Sequence, residues 1–287
     1  MTDQQPNLAR RRLIQSTGAS AVAVTALAAA GVAAVSSPAE AQGVNDAAVL
    51  NFALNLEYLE AEFYIRAATG VGLTMADTSG TGYAGSVIGG SKVPFTTPAI
   101  QQYATEIAND ELNHVRFIRS ALNTNAVGQP AIDLSNSFVA LGNLIGVPNF
   151  NPFADEVSFL IGSYIFEDVG VTAYHGAAAL ISNKQILTAA AGILAVEAYH
   201  AAEIRTLLFQ AGAGSTTVKI SNVRASLSGP NDDQGVINSN GTANIVPTDA
   251  NSLAFSRSPR QVLNIVYGAP NATKGLFFPN GMNGAIK

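Results

Sequence analysis

The chain has 287 residues, of which 48% are hydrophobic and only 12% charged, enough apolar material for one large buried core. Its formal net charge is −5 and no basic stripe follows the extreme N-terminus, which excludes nucleic acid as a partner, since phosphate binding needs clustered Lys and Arg. Cysteine is absent, so disulfides, thiol nucleophiles and thiolate metal sites are excluded, and any metal must sit on oxygen and imidazole nitrogen, the donors that suit Fe, Mn or Zn.

Residues 1–41 read as a cleavable export signal. Arg10, Arg11 and Arg12 precede Leu13 and Ile14, an Ala/Val-rich run covers 19–35, and Ala39-Glu40-Ala41 is a small-x-small cleavage site that starts the mature chain near Gln42. The arrangement resembles a twin-arginine signal, with an ordinary secretory signal or an uncleaved anchor as the other reading. The resemblance implies passage through the twin-arginine export machinery as a folded protein, able to load metal before it leaves the cytoplasm. Without residues 1–41 the chain carries 12 basic and 18 acidic residues, a net of −6. It has no later apolar stretch of the ~20 residues that span a bilayer. The expectation is therefore a periplasmic or secreted protein that does not contact the membrane once the signal is removed.

Four segments then carry helical periodicity. The first, 46–69, puts Leu50, Leu54, Tyr58 and Ala61 on one stripe and stops at Gly70. A Gly-, Ser- and Thr-rich loop over 71–94 follows. The second helix starts at Thr97-Pro98, an N-cap with proline at the first helical position, and runs to Leu122. An irregular connection over 126–151 is long enough to cross a bundle. The third helix spans about 152–181 and the fourth 184–210, ending before Gly212. Four long helices with one long middle crossover predict an all-α, ferritin-like four-helix bundle over 42–212. Residues 213–287 read as an extension of loops and short strands packed on the bundle, with strand-like pieces at 216–220 and 235–237 and one short helix near 258–266.

Glu111-Leu112-Asn113-His114 lies in the second helix and Glu197-Ala198-Tyr199-His200 in the fourth. A Glu and a His three residues apart share one helical face, so both can reach one metal ion. One such pair is common by chance; two of them in a chain with three histidines, both amid apolar residues, point to a buried two-metal site. That site needs one glutamate from each remaining helix. The third helix offers Glu167, while the first offers Glu57, Glu60 and Glu62. An internal repeat selects Glu57: Glu57 and Glu167 are both followed by Tyr at +7 (Tyr64, Tyr174) and by Ala-Ala at +10 and +11. Glu111 and Glu197 are likewise both followed by Ile-Arg at +7 and +8 and Leu at +11. The chain reads as a duplicated helix pair. Glu60 stays as the alternative to Glu57. Tyr64 and Tyr174 are either core fillers or groups beside the metals, and His175 points away from them. Four carboxylates against two divalent ions give a neutral site.

The pattern Glu…Glu-x-x-His…Glu…Glu-x-x-His resembles the ferritin-like di-metal carboxylate superfamily. The run from Leu54 to Tyr64, with Glu57, Glu60 and Glu62, is similar to the desiccation-related, ferritin-like proteins. The resemblance implies two Fe or Mn ions and a small oxidant, O₂ or H₂O₂, in a protein of oxidative or desiccation stress. Iron oxidation and storage, or a non-enzymatic protein that keeps metal for stability, are the alternatives, and assembly into an oligomer is open.

Overall fold

The computed structural model describes residues 45–229 and 232–287; the export-signal reading of residues 1–41 lies outside the described residues. Helix α1 spans Asp46–Thr69, capped by the Asn45 side chain and closed by Gly70 at φ +89°. Helix α2 is one turn, Met75–Thr78, and strand β1 is Val87–Ile88. Helix α3 covers Pro98–Leu122 with proline in its first turn. Strand β2, Ile132–Asp133, and helix α4, Asn136–Ile145, fill the middle crossover. Helices α5 (Glu156–Ala178) and α6 (Lys184–Gln210) complete the bundle. None of the described helices is long and apolar enough to cross a membrane.

Helix α1 packs on α3 and α5 on α6, and α1 meets α5 to join the two pairs. The core between them is continuous, from Val49 through Leu208. Phe63 stands in an aromatic nest, its ring centroid 5.2–5.8 Å from those of Phe138, Phe153, Phe159 and Phe166. The segments expected as bare loops are partly ordered by each other. Val87 pairs with Ile132 and Ile88 with Asp133 in a parallel two-stranded ladder that ties the connection before α3 to the one after it.

The duplication extends to the helix ends. Asn45 and Asp155, 110 residues apart, each cap their helix by accepting the amide three residues on. The next residue of each pair crosses to the other half. Asp46 accepts from the Ser182 and Asn183 amides at the start of α6, and Glu156 accepts from the Thr96 and Thr97 amides at the start of α3. These acceptors sit where the helix dipole favours negative charge.

The extension after α6 differs from expectation. Residues 216–220 are not a strand but lie inside helix α7, Gly214–Ser228. Their β-branched run has strand propensity, a weak preference that tertiary contact overrides. Thr217, Ile220, Ser221 and Arg224 are buried at helical spacing, and Arg224 reaches Asp168 on α5. The expected strand at 235–237 is reduced to a bridge, Ile237 to Ala243. Helix α8, Pro259–Tyr267, opens with a full capping box, Ser258 with Gln261.

Candidate metal centre

The six residues singled out by spacing converge in the middle of the bundle. Glu57, Glu111, His114 and Glu197 each offer an atom within 4.8 Å of the others, and Glu111, Glu167 and His200 do the same. All six are buried. Each imidazole turns Nδ1 inward: His114 Nδ1 lies 3.3 Å from Glu57 Oε2, 3.5 Å from Glu111 Oε2 and 3.8 Å from Glu197 Oε1. His200 Nδ1 lies 3.2 Å from Glu111 Oε1 and 3.6 Å from Glu167 Oε2. Glu111 thus presents one oxygen to each histidine and sits between the two groups.

Eight atoms of these residues are buried without a hydrogen-bond partner: both oxygens of Glu111 and Glu197, one oxygen each of Glu57 and Glu167, and the two Nδ1 atoms. Buried polar atoms are otherwise almost always satisfied, so a cluster of eight orphaned carboxylate and imidazole atoms could hold a cation. The residues fit the implied metal ions. Glu57, Glu197, His114 and Glu111 Oε2 would hold one ion, and Glu167, His200 and Glu111 Oε1 the other.

The remaining oxygens of the terminal glutamates are held by the two tyrosines, each from the opposite half. Tyr64 donates to Glu167 Oε1 and Tyr174 to Glu57 Oε1. Burial, then the facing carboxylate, keeps both phenols well above their usual pKa, so they remain donors. Charge is crowded here. Burial pushes Glu57 up to about 7 against the opposing pull of His114. Burial also acts to raise Glu111, but the two imidazoles facing it, His114 and His200, outweigh this and leave it at about 2. Burial acts to lower His114, but Glu57 and Glu111 outweigh it and hold the ring at about 11.

Glu60 is buried beside the cluster, outside both ligand groups. Burial and then the charges of Glu111, Glu167 and Glu57 drive its pKa well up. The repeat places Gly170 opposite it, and a Cβ at Gly170 would stand 2.1 Å from Glu197 Oε2 and 3.2 Å from Glu60 Oε1. His175 is outside the cluster, its Nδ1 at 3.1 Å from the Phe255 carbonyl. Sequence reasoning missed Asp110. Its Oδ2 lies 3.2 Å from His200 Nε2 and holds that side of the ring, so that Nδ1 faces the carboxylates. The signal was available, since Asp110 directly precedes Glu111; the repeat has Val196 there, which masked it.

A family model for the ferritin-like domain matches residues 45–210. The chain is similar to a ferritin-like catalase of Nesocodon mauritianus, Nec2, with 30% identity over 275 residues, covering 86% of this chain and 87% of that one. It is likewise similar to the desiccation-related protein PCC13-62 of Craterostigma plantagineum, with 31% identity over 265 residues, 84% and 83% of the two chains. No solved structure matches. With the bundle, the duplicated ligand helices and these relatives together, the chain belongs to the ferritin-like family, in its desiccation-related group.

Proposed function

We propose that the protein is an exported di-metal oxidoreductase, holding two Fe or Mn ions and turning over hydrogen peroxide or dioxygen as a defence against oxidative or desiccation stress. The observation that carries this is the set of eight orphaned buried donor atoms, divided between two histidines and bridged by Glu111. The printed name of one relative, a ferritin-like catalase, favours peroxide among the oxidants. The signal-like residues 1–41 support export.

Bound metal ions would supply reversible electron storage between two oxidation levels, which none of the side chains provides. The chain's own residues do the rest. Glu57, Glu111, Glu167 and Glu197 offset the positive charge, and the two Nδ1 atoms complete the donor set. Tyr64 and Tyr174 hold the outer oxygens of Glu167 and Glu57 and so fix which oxygen faces inward. Leu54, Ala61, Ile107 and Ile204, at helical spacing from the glutamates on the same helices, are buried and keep bulk water out.

Elemental analysis of protein purified from its native compartment, with oxygen evolution from peroxide, tests the reading. Two Fe or Mn per chain and oxygen release are expected. Glu57→Ala should lose metal while Glu60→Ala retains it. Metal without turnover would favour the stability role, a hollow assembly filled with iron would favour storage, and absence of metal would sink all three.

A further inference from the structure

The two tyrosines of the repeat are not equivalent. Tyr64 is 0% exposed and Tyr174 8%. Tyr64 is sealed under Phe63 and Phe159, with ring centroids at 5.0 and 5.8 Å. Tyr174 instead forms part of the wall of a surface pocket of about 180 Å³ at the end of the bundle, built from α1, α3, α5 and α6. Its hydroxyl is committed to Glu57, so the pocket lies one phenol ring away from the metal centre.

The duplication supplies an internal comparison. The pocket is bounded by Ala121 on α3 and Ala189 on α6. Shifted by the 86-residue offset that relates Glu111 to Glu197, the equivalents are Leu207 and Tyr103, both half-buried. One half of the molecule has an alanine where the other has a tyrosine. Relative to the other half, the wall of this pocket is short of one phenol and one leucine side chain. None of the lining residues is charged, and apart from Tyr174 only Gln185 is polar. Phe117, on the same wall, is 49% exposed and free to stack. The volume is several times the ~30 Å³ share of one liquid water, too large to be shaped for a diatomic or peroxide alone.

We propose that this pocket binds one small, uncharged, phenol-sized aromatic molecule against the ring of Tyr174. As the place of a second substrate it rests on the di-metal reading above; as a binding site it does not. A charged ring is disfavoured because nothing in the lining compensates a carboxylate.

The test is ligand-observed ¹⁹F NMR with 4-fluorophenol as the probe and 4-fluorobenzoate as its charged counterpart, on metal-loaded and metal-free full-length protein. The expected result is saturable 4-fluorophenol binding in both forms, at least tenfold tighter than 4-fluorobenzoate. Ala189→Tyr, which copies Tyr103, should weaken it at least tenfold. Ala121→Leu, which copies Leu207, is the milder filling should the first variant not fold. No saturable binding at millimolar probe, equal binding of the benzoate, or unchanged affinity in a folded filling variant would each overturn the proposal. Because the metal-free arm reads the pocket alone, failure of metal loading leaves this result standing, and failure here leaves the di-metal reading untouched.

Discussion

Each terminal glutamate has one oxygen accepting from a phenol and one left bare, and it is the phenol that decides which is which. Glu111 and Glu197 have no such donor on either oxygen. Glu111 faces the two imidazoles, and Gly170 leaves the room that Glu197 occupies. A methyl group there would occupy the space of Glu197 Oε2. Gly170→Ala therefore sets two terms against each other. As a helix-interior change it gains at most about 1 kcal/mol, but overpacking the buried Glu197 costs ~1–3 kcal/mol, so the metal-free bundle should not be stabilised. By displacing the Glu197 carboxylate it should lower metal occupancy severalfold. Thermal melts of metal-free protein beside metal-to-protein ratios check it; equal occupancy in a folded variant would remove Gly170 from the site. At this scale much was legible. Glu-x-x-His spacing and the repeat singled out six residues that converge, and the repeat separated Glu57 from Glu60. What they could not convey was contact between different helices. That Tyr64 serves Glu167 rather than Glu57 depends on how α1 meets α5, and Asp110 was hidden because the other half has a valine in its place.

Between helices, the same half-to-half exchange recurs at the caps. Thr97 begins α3 with no hydrogen bond from its own side chain to the helix, and the carboxylate of Glu156, from α5, accepts from the Thr96 and Thr97 amides and the Thr97 hydroxyl instead. Asp46 on α1 does the same for α6. Glu156→Ala should thus lower stability by about 1 kcal/mol, the usual worth of a cap. Hydrogen bonds to Thr97, then Thr96, hold the Glu156 pKa below its usual 4.5. A depressed carboxylate contributes stability that is present above its unfolded pKa and is lost as pH falls through the folded one. The difference in melting temperature between wild type and Glu156→Ala should be constant above pH 5 and shrink below about 4.5; a constant difference down to pH 3 would show that the carboxylate's charge plays no part. Helix limits were readable because their punctuation is local: Thr97-Pro98 opens α3 and Gly70 closes α1. Helix α7 was not, because Thr216, Thr217, Val218 and Ile220 carry strand propensity and it is packing against α4, α5 and α8 that makes them helical.

Over the whole molecule, the extension is bound to the bundle by buried charge. Arg205 on α6 and Arg224 on α7 both reach Asp168 Oδ2, at 2.8 and 2.9 Å, and Arg257 joins Asp232 and Asp233. In the other half Arg119 meets Tyr58 instead, so the duplicated arginine was visible in sequence but its duty to the extension was not. Three arginines against three aspartates form a balanced network, whereas the metal centre gathers buried carboxylates that need a cation from outside the chain. Its protonation follows. In metal-free protein Glu57, raised from 4.5 to about 7 by burial, binds more proton when folded than unfolded between those values, so stability falls as pH rises through that window. His114 acts in the same direction over a higher window, holding its proton up to about 11 and stabilising the fold fully only below its unfolded pKa of 6.5. Both groups therefore weaken the metal-free protein as pH rises from 5 to 7.5. Metal replaces those protons, so loading should release them and bind more tightly at higher pH. At a free metal concentration 100 times Kd it should stabilise by ~2.7 kcal/mol. The gap in melting temperature between loaded and metal-free protein should widen from pH 5 to 7.5, with proton release read by calorimetry in buffers of different ionisation heat. A gap that stays level, with no protons released, would mean that these six side chains are not the ligands.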